Sequence, residues 1–183
     1  MIEPPKFKLT SLHESAQWQR VSEDAELAFV EFSQADIADV IGDLFERSFG
    51  TSPPNYPAHG VCFCRFKDEI LVAGYSHLSD YPRYSLGGGM CTDNRTLRRV
   101  SPAARAGIKA RGGIAQVIIE ACFKARAHLD AVFSYVGHPV ALEIDLRSGF
   151  LQTRFPHLIV HWSHHMPSDA DSLIDEVRAM GPF

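Results

Sequence analysis

The sequence predicts an α/β fold of the α+β kind: a mixed, mainly antiparallel central sheet flanked by helices. Three stretches carry that expectation. Val61 to Phe66 and Ile70 to Leu78 are β-rich runs separated by Lys67-Asp68-Glu69, the spacing of a hairpin. Ile114 to His128 sets Ile114, Val117, Ile118, Ala121, Cys122 and Ala125 on one helical stripe, with Gln116, Glu120 and Lys124 opposite. Ala131 to Val136 is a continuous apolar run, the pattern of a strand covered on both faces.

The other elements follow in order. Residues 1–26 are polar and proline-led, with Trp18 as their aromatic anchor. They read as an arm, loose or holding a short helix, ahead of a single domain over 27–183. Leu27 to Phe32 is a first strand. Ser33-Gln34-Ala35-Asp36 has the form of a capping box. The helix it opens carries Ile37, Val40, Ile41, Leu44, Phe45 and Phe49 on one stripe and ends at Gly50. After a proline-rich loop and the hairpin, Tyr84 to Thr92 is a third β run. Gly87-Gly88-Gly89 inside it marks a bulge or a close approach of another backbone or a ligand. His138-Pro139 starts a short helix that Gly149 ends. Leu158 to Trp162 is the last strand, and Ser168 to Met180 a capped C-terminal helix.

Composition narrows the function classes. With 45% hydrophobic and 22% charged residues the chain is ordinarily globular, and a net charge of −4 favours neither nucleic acid nor a membrane. No apolar run is long enough to span a bilayer, and Met1-Ile2-Glu3-Pro4-Pro5 lacks the form of a signal peptide. A cytoplasmic location is expected. The cysteines at 62, 64, 91 and 122 lie mostly in apolar stretches and read as reduced, buried thiols. Their spacing does not suit a structural zinc site, and no metal is expected.

One stretch departs from the acidic background. Asn94 to Arg111 carries Arg95, Arg98, Arg99, Arg105, Lys109 and Arg111 and no acid, and it leads to Gly112-Gly113 at the start of the amphipathic helix. A helix N-terminus has unpaired N–H groups and about half a positive charge from the macrodipole, so it favours an anion. Glycines let phosphate oxygens approach, and arginines add charge-assisted hydrogen bonds. The sequence therefore places an anion site at the mouth of that helix. Neither a Walker loop nor a dinucleotide fingerprint is present.

These pieces in this order resemble the GNAT superfamily of N-acetyltransferases. There, a strand precedes an Arg/Gln-x-x-Gly-x-Gly/Ala loop that caps a long helix. Here the strand ends Met90-Cys91-Thr92-Asp93, and the loop reads Ala110-Arg111-Gly112-Gly113-Ile114-Ala115, with Gly113 and Ala115 at the two small positions. A second block, a strand followed by a short helix and Gly-Phe, matches Ala131 to Val136, His138 to Ser148 and Gly149-Phe150. Several positions differ. Ala110 stands where Arg or Gln is usual, His138 replaces an Asn, Asp145 replaces the tyrosine that often acts as general acid, and about a dozen extra residues follow Asp93.

The resemblance implies a GNAT-like sheet that splays beside the triple-glycine strand, with acetyl-CoA as co-substrate. Met90, Cys91 and Thr92 would hold pantetheine through their backbones; Arg111, Gly112, Gly113, Ile114 and Ala115 would hold the pyrophosphate. The implied reaction is acetyl transfer to a small-molecule amine by direct attack in a ternary complex. Asp145 is the candidate acid or base, and His138 a pantetheine contact or proton relay. The alternative is a GNAT-fold module that binds a ligand or a partner without transferase activity; a homodimer is compatible with either.

His77 is a further base candidate. His157, His161 and His165 alternate as if on one face of the last strand. Tyr75, Tyr81, Tyr84 and Tyr135 suit a pocket wall or the core equally.

Overall fold

A computed structural model describes residues 16–33 and 37–183. The Gln34-Ala35-Asp36 part of the expected capping box lies outside the described residues. Eight strands form one sheet: β1 (Gln19–Ser22), β2 (Ala25–Ser33), β3 (Ala58–Phe66), β4 (Glu69–Asp80), β5 (Tyr84–Thr92), β6 (Ala131–Tyr135), β7 (Leu151–Gln152) and β8 (Leu158–Trp162). Their order across the sheet is β1-β2-β3-β4-β5-β6-β8-β7. The β1–β2, β2–β3, β6–β8 and β7–β8 pairs are antiparallel, and β5–β6 is parallel. The described helices are α1 (Ile37–Ile41), α2 (Leu44–Phe49), α3 (Asn94–Arg99), α4 (Pro102–Ala110), α5 (Ile114–Ala125), α6 (Pro139–Arg147) and α7 (Ala170–Ala179). This is the mixed, mainly antiparallel sheet flanked by helices that the sequence predicts.

The chain divides into two compact units, residues 1–77 with 89–118, and 78–88 with 119–183; β4, β5 and α5 run through both. In the first, Ile37, Val40, Ile41, Leu44 and Phe45 pack with Val61, Phe63 and Tyr75 of the sheet. The expected single helix over this stripe is two short ones, because Gly42 takes a φ of 55° between them. Gly50 then closes α2 in the left-handed conformation, donating to the Glu46 carbonyl. In the second unit, Leu173, Ile174 and Val177 of α7 pack with Tyr84, Leu86, Phe133, Leu158 and Val160.

Two regions depart from the sequence expectation. Residues 16–26, read as an arm, include β1 and the start of β2; β1 is a four-residue, mostly polar edge strand with no apolar alternation to announce it. The basic stretch 94–111 is two helices. Asp93 caps α3 by accepting from the Arg95 N–H, and Ser101 caps α4 by accepting from the Ala104 N–H ahead of Pro102.

Helix α4 lies against β1. Gly107 meets the strand backbone so closely that a Cβ there would fall 1.8 Å from the Val21 carbonyl oxygen. Arg111 ties the far end down, donating to Gln19 Oε1 at 2.6 Å and to the Arg20 carbonyl at 3.0 Å.

Candidate functional site

The turn before α5 does two jobs. Its first is to end α4. The Gly113 N–H donates to the Ile108 carbonyl at 3.0 Å and the Gly112 N–H to the Lys109 carbonyl at 2.9 Å, the paired bonds of a Schellman motif. The motif needs a left-handed residue at Gly112, which has a φ of 82°. Its second job is to open α5, where the Gly113 carbonyl accepts from the Val117 N–H.

The two glycine N–H groups, candidate phosphate donors in the sequence, are thus engaged by α4. The donors left at the helix mouth are the N–H groups of Ile114 and Ala115, which have no intrahelical acceptor. Gly113 still serves them, because no atom lies within 4 Å of the place its Cβ would take.

The basic run does less at this mouth than its sequence suggests. Arg95 pairs with Asp43 at 3.1 Å, Arg99 pairs with Glu69, and Arg105 donates to the Leu97 and Val100 carbonyls. The Arg111 guanidinium is held on β1. Four of the six cations therefore hold the α3–α4 insertion in place. Such exposed pairs contribute roughly 0–1 kcal/mol each.

Met90, Cys91 and Thr92 form the end of β5. The parallel β5–β6 ladder runs only from Tyr84↔Ala131 to Gly87↔Ser134, so these three residues continue past its last pair. Gly74 on β4 brings them beside the helix mouth. A Cβ at Gly74 would fall 2.8 Å from Ile114 Cγ2, 2.8 Å from Ile118 Cδ1 and 3.0 Å from the Cys91 carbonyl oxygen. Only a bare backbone lets the first turn of α5 pack there. Gly74→Ala should therefore cost about 1–3 kcal/mol by overpacking, read as a lower denaturation midpoint with an unchanged urea m-value.

The two candidate catalytic residues share α6 but not an environment. Asp145 is only 4% exposed, and its carboxylate receives no hydrogen bond. Burial alone pushes its pKa up from 3.8 to about 6. His138 is the exposed N-cap of the helix, with no side-chain capping bond. Seven residues of helix separate them, a rise of roughly 10 Å, so they do not hydrogen-bond to each other.

The other histidines divide. Of the three expected on the last strand, only His161 lies in β8. His157 precedes it with a φ of 69°, which breaks the alternation, and His165 follows it. His161 stacks on Phe123 with centroids 3.6 Å apart and engages the Gly149 carbonyl, while His157 engages the Val136 carbonyl. Among the described residues, no group of three or more His, Cys, Asp or Glu is placed to hold a metal.

His77, by contrast, is buried on β4 with Tyr75, and His59 of β3 is buried in the same cluster. The Tyr75 hydroxyl and His59 Nδ1 lie 2.7 Å apart, and Tyr56 stacks on His77 at 4.1 Å. His59 Nε2 and His77 Nδ1 are both buried without a partner. Desolvation lowers the pKa of His59 and brings that of His77 to about 4.

His59 and Gly74 escaped the sequence reading. A lone glycine inside the β4 run was a signal of close approach; His59 had none.

The tyrosines resolve as core and rim. Tyr75 and Tyr84 are buried, Tyr81 stacks on Tyr84 at 5.0 Å, and Tyr135 packs edge-on to Phe183 with its buried hydroxyl unpaired. Cys62, Cys64 and Cys122 are buried and in no disulfide, and burial pushes the Cys64 thiol up to about 11. No described helix is long and apolar enough to cross a membrane.

No protein-family model matches the chain, and no curated protein does. Among solved structures, the chain is similar to a candidate acetyltransferase from Pyrococcus horikoshii, at 14% identity and a TM-score of 0.46. That match covers 69% of this chain and 44% of the other, so this chain spans less than half of that protein's length.

Proposed function

We propose that the chain is an acyl-CoA-dependent N-acyltransferase that moves an acetyl group to a small-molecule amine. The observation that carries this reading is the junction at Gly74, where the end of β5, past its last pair with β6, meets the open first turn of α5. A strand edge beside a helix N-terminus suits a ligand with an amide-bearing arm and a pyrophosphate. The backbones of Met90, Cys91 and Thr92 hydrogen-bond the arm. The Ile114 and Ala115 N–H groups hold the phosphates, with Gly113 permitting close approach and the helix dipole adding attraction.

Asp145, buried in the second unit with its pKa pushed up to about 6, is the candidate general acid. The role rests on its position in α6, where the family resemblance places the general acid.

Calorimetric titration with acetyl-CoA tests the reading, using Ala115→Glu as the control. An acid in the first turn is compatible with the helix, and it opposes a second anion at the same N–H groups. Wild-type binding in the sub-millimolar range should weaken about tenfold or more in the variant, a loss of roughly 1.4 kcal/mol per decade, with the melting temperature unchanged. Absence of wild-type binding sinks the proposal. Binding without thiol release across an amine panel favours a ligand-binding module instead.

A further inference from the structure

We infer that His77 is the proton acceptor for the amine, an inference that rests on the acyltransferase reading. It starts from an anomaly. His77 is only 6% exposed, and its Nδ1 is buried without a partner. Buried polar atoms are nearly always paired, and each exception calls for an explanation. A second such atom, His59 Nε2, lies in the same cluster.

The surroundings fix the ring rather than satisfy it. Tyr56 lies parallel to it, with a 7° angle between the planes. Phe45 and Tyr75 approach with ring centroids 6.3 Å and 6.2 Å away. On its remaining side the imidazole occupies the space over Gly89, where a Cβ would fall 2.5 Å from Nδ1 and 2.2 Å from Cε1. Gly89 lies in β5 with a φ of 53°, and it immediately precedes Met90. The imidazole, with its Nδ1 unpaired, thus stands beside the strand segment assigned to pantetheine. Burial keeps it neutral, so a ring lone pair is available at ordinary pH.

The step balances without another reagent. The amine lone pair attacks the thioester carbonyl carbon, forming the C–N bond and moving the π electrons onto oxygen. Those electrons return as the C–S bond breaks, and sulfur leaves with the bonding pair. The adduct's ammonium proton passes to a ring nitrogen of His77 and then to solvent, and the thiolate takes a proton from solvent. A weak base suffices here, because the adduct's nitrogen is far more acidic than the free ammonium ion.

Thiol release from acetyl-CoA is measured for the full chain against a panel of primary alkyl- and arylamines. His77→Ala should lower kcat by roughly 10²–10⁴-fold, the usual contribution of a positioned base, with acetyl-CoA binding unchanged. Added imidazole should restore part of the rate by filling the vacated stack under Tyr56. His77→Gln keeps a planar polar group without a basic nitrogen. It should show the same loss, and it guards against a folding failure of the alanine variant.

Rates within a few-fold of wild type in either variant overturn the inference and leave acyl transfer standing. So does a loss that imidazole does not rescue. A wild-type chain that binds acetyl-CoA but acetylates no amine overturns both the inference and the transferase reading. A chain that binds no acetyl-CoA overturns the function proposal at its root.

Discussion

Gly107→Ala should lower the melting temperature by several degrees, although alanine is the better helix former by about 1 kcal/mol. Position 107 lies inside α4, where the intrinsic propensity alone predicts stabilisation. The added methyl would stand 1.8 Å from the Val21 carbonyl oxygen and 2.7 Å from its carbon, and neither is the tip of a flexible side chain. Either α4 rises off β1 or the edge strand moves. Moving β1 also strains the Arg111 bonds to Gln19 and Arg20. Overpacking of this kind costs about 1–3 kcal/mol and sometimes more. At roughly 2–4 °C per kcal/mol for a chain of this size, calorimetry would resolve the shift. A melting temperature at or above wild type would mean that α4 does not rest on β1.

Asp145→Asn should stabilise the protein at pH 8 and lose that advantage at pH 4. The carboxyl has a raised folded pKa of about 6 against roughly 3.9 in an unfolded chain, so the folded state binds the proton more tightly. The stability contributed by this group is therefore fully present below about pH 4, falls as pH rises between the two values, and is lowest above 6. Two pKa units correspond to about 3 kcal/mol, an upper bound on what the ionised carboxylate costs. An asparagine amide without partners gives some of that back, roughly 1–3 kcal/mol, so the net gain at pH 8 is at most about 2 kcal/mol. Urea melts at pH 8 and pH 4 check it. A variant equally or less stable at pH 8 would mean that the carboxylate is solvated or paired. Loss of turnover alongside a gain in stability would fit a proton donor kept at a cost to the fold.

Much of the fold was legible because its signals are local. The stripe from Ile114 to Ala125, the hairpin around Lys67, the apolar run at Ala131 and the proline at the start of α6 each announce an element within a dozen residues. The misses share another character. β1 is a polar edge strand that exists because β2 pairs with it, and the α3–α4 insertion looked like a basic loop because charge masked two ordinary caps. His157 fell out of the strand because its backbone turned left-handed, which the alternation of residue types does not reveal.

The site divides in the same way. Where the glycines and the helix mouth stand follows from residue order. Which N–H groups remain for a ligand depends on the Schellman bonds to Ile108 and Lys109, contacts a sequence does not display.

By itself the sequence determined the α+β architecture and the helix opening at Gly112-Gly113, since periodicity and turn chemistry act over short range; the candidacy of Asp145 came from the family resemblance. Only the tertiary structure decided that Arg111 serves β1, that Gly74 joins the end of β5 to the helix mouth, and that His77 is buried with its Nδ1 unpaired. Those facts arise from close approach between segments distant in the chain, where the missing side chain of a glycine or the desolvation of a ring is set by what packs against it.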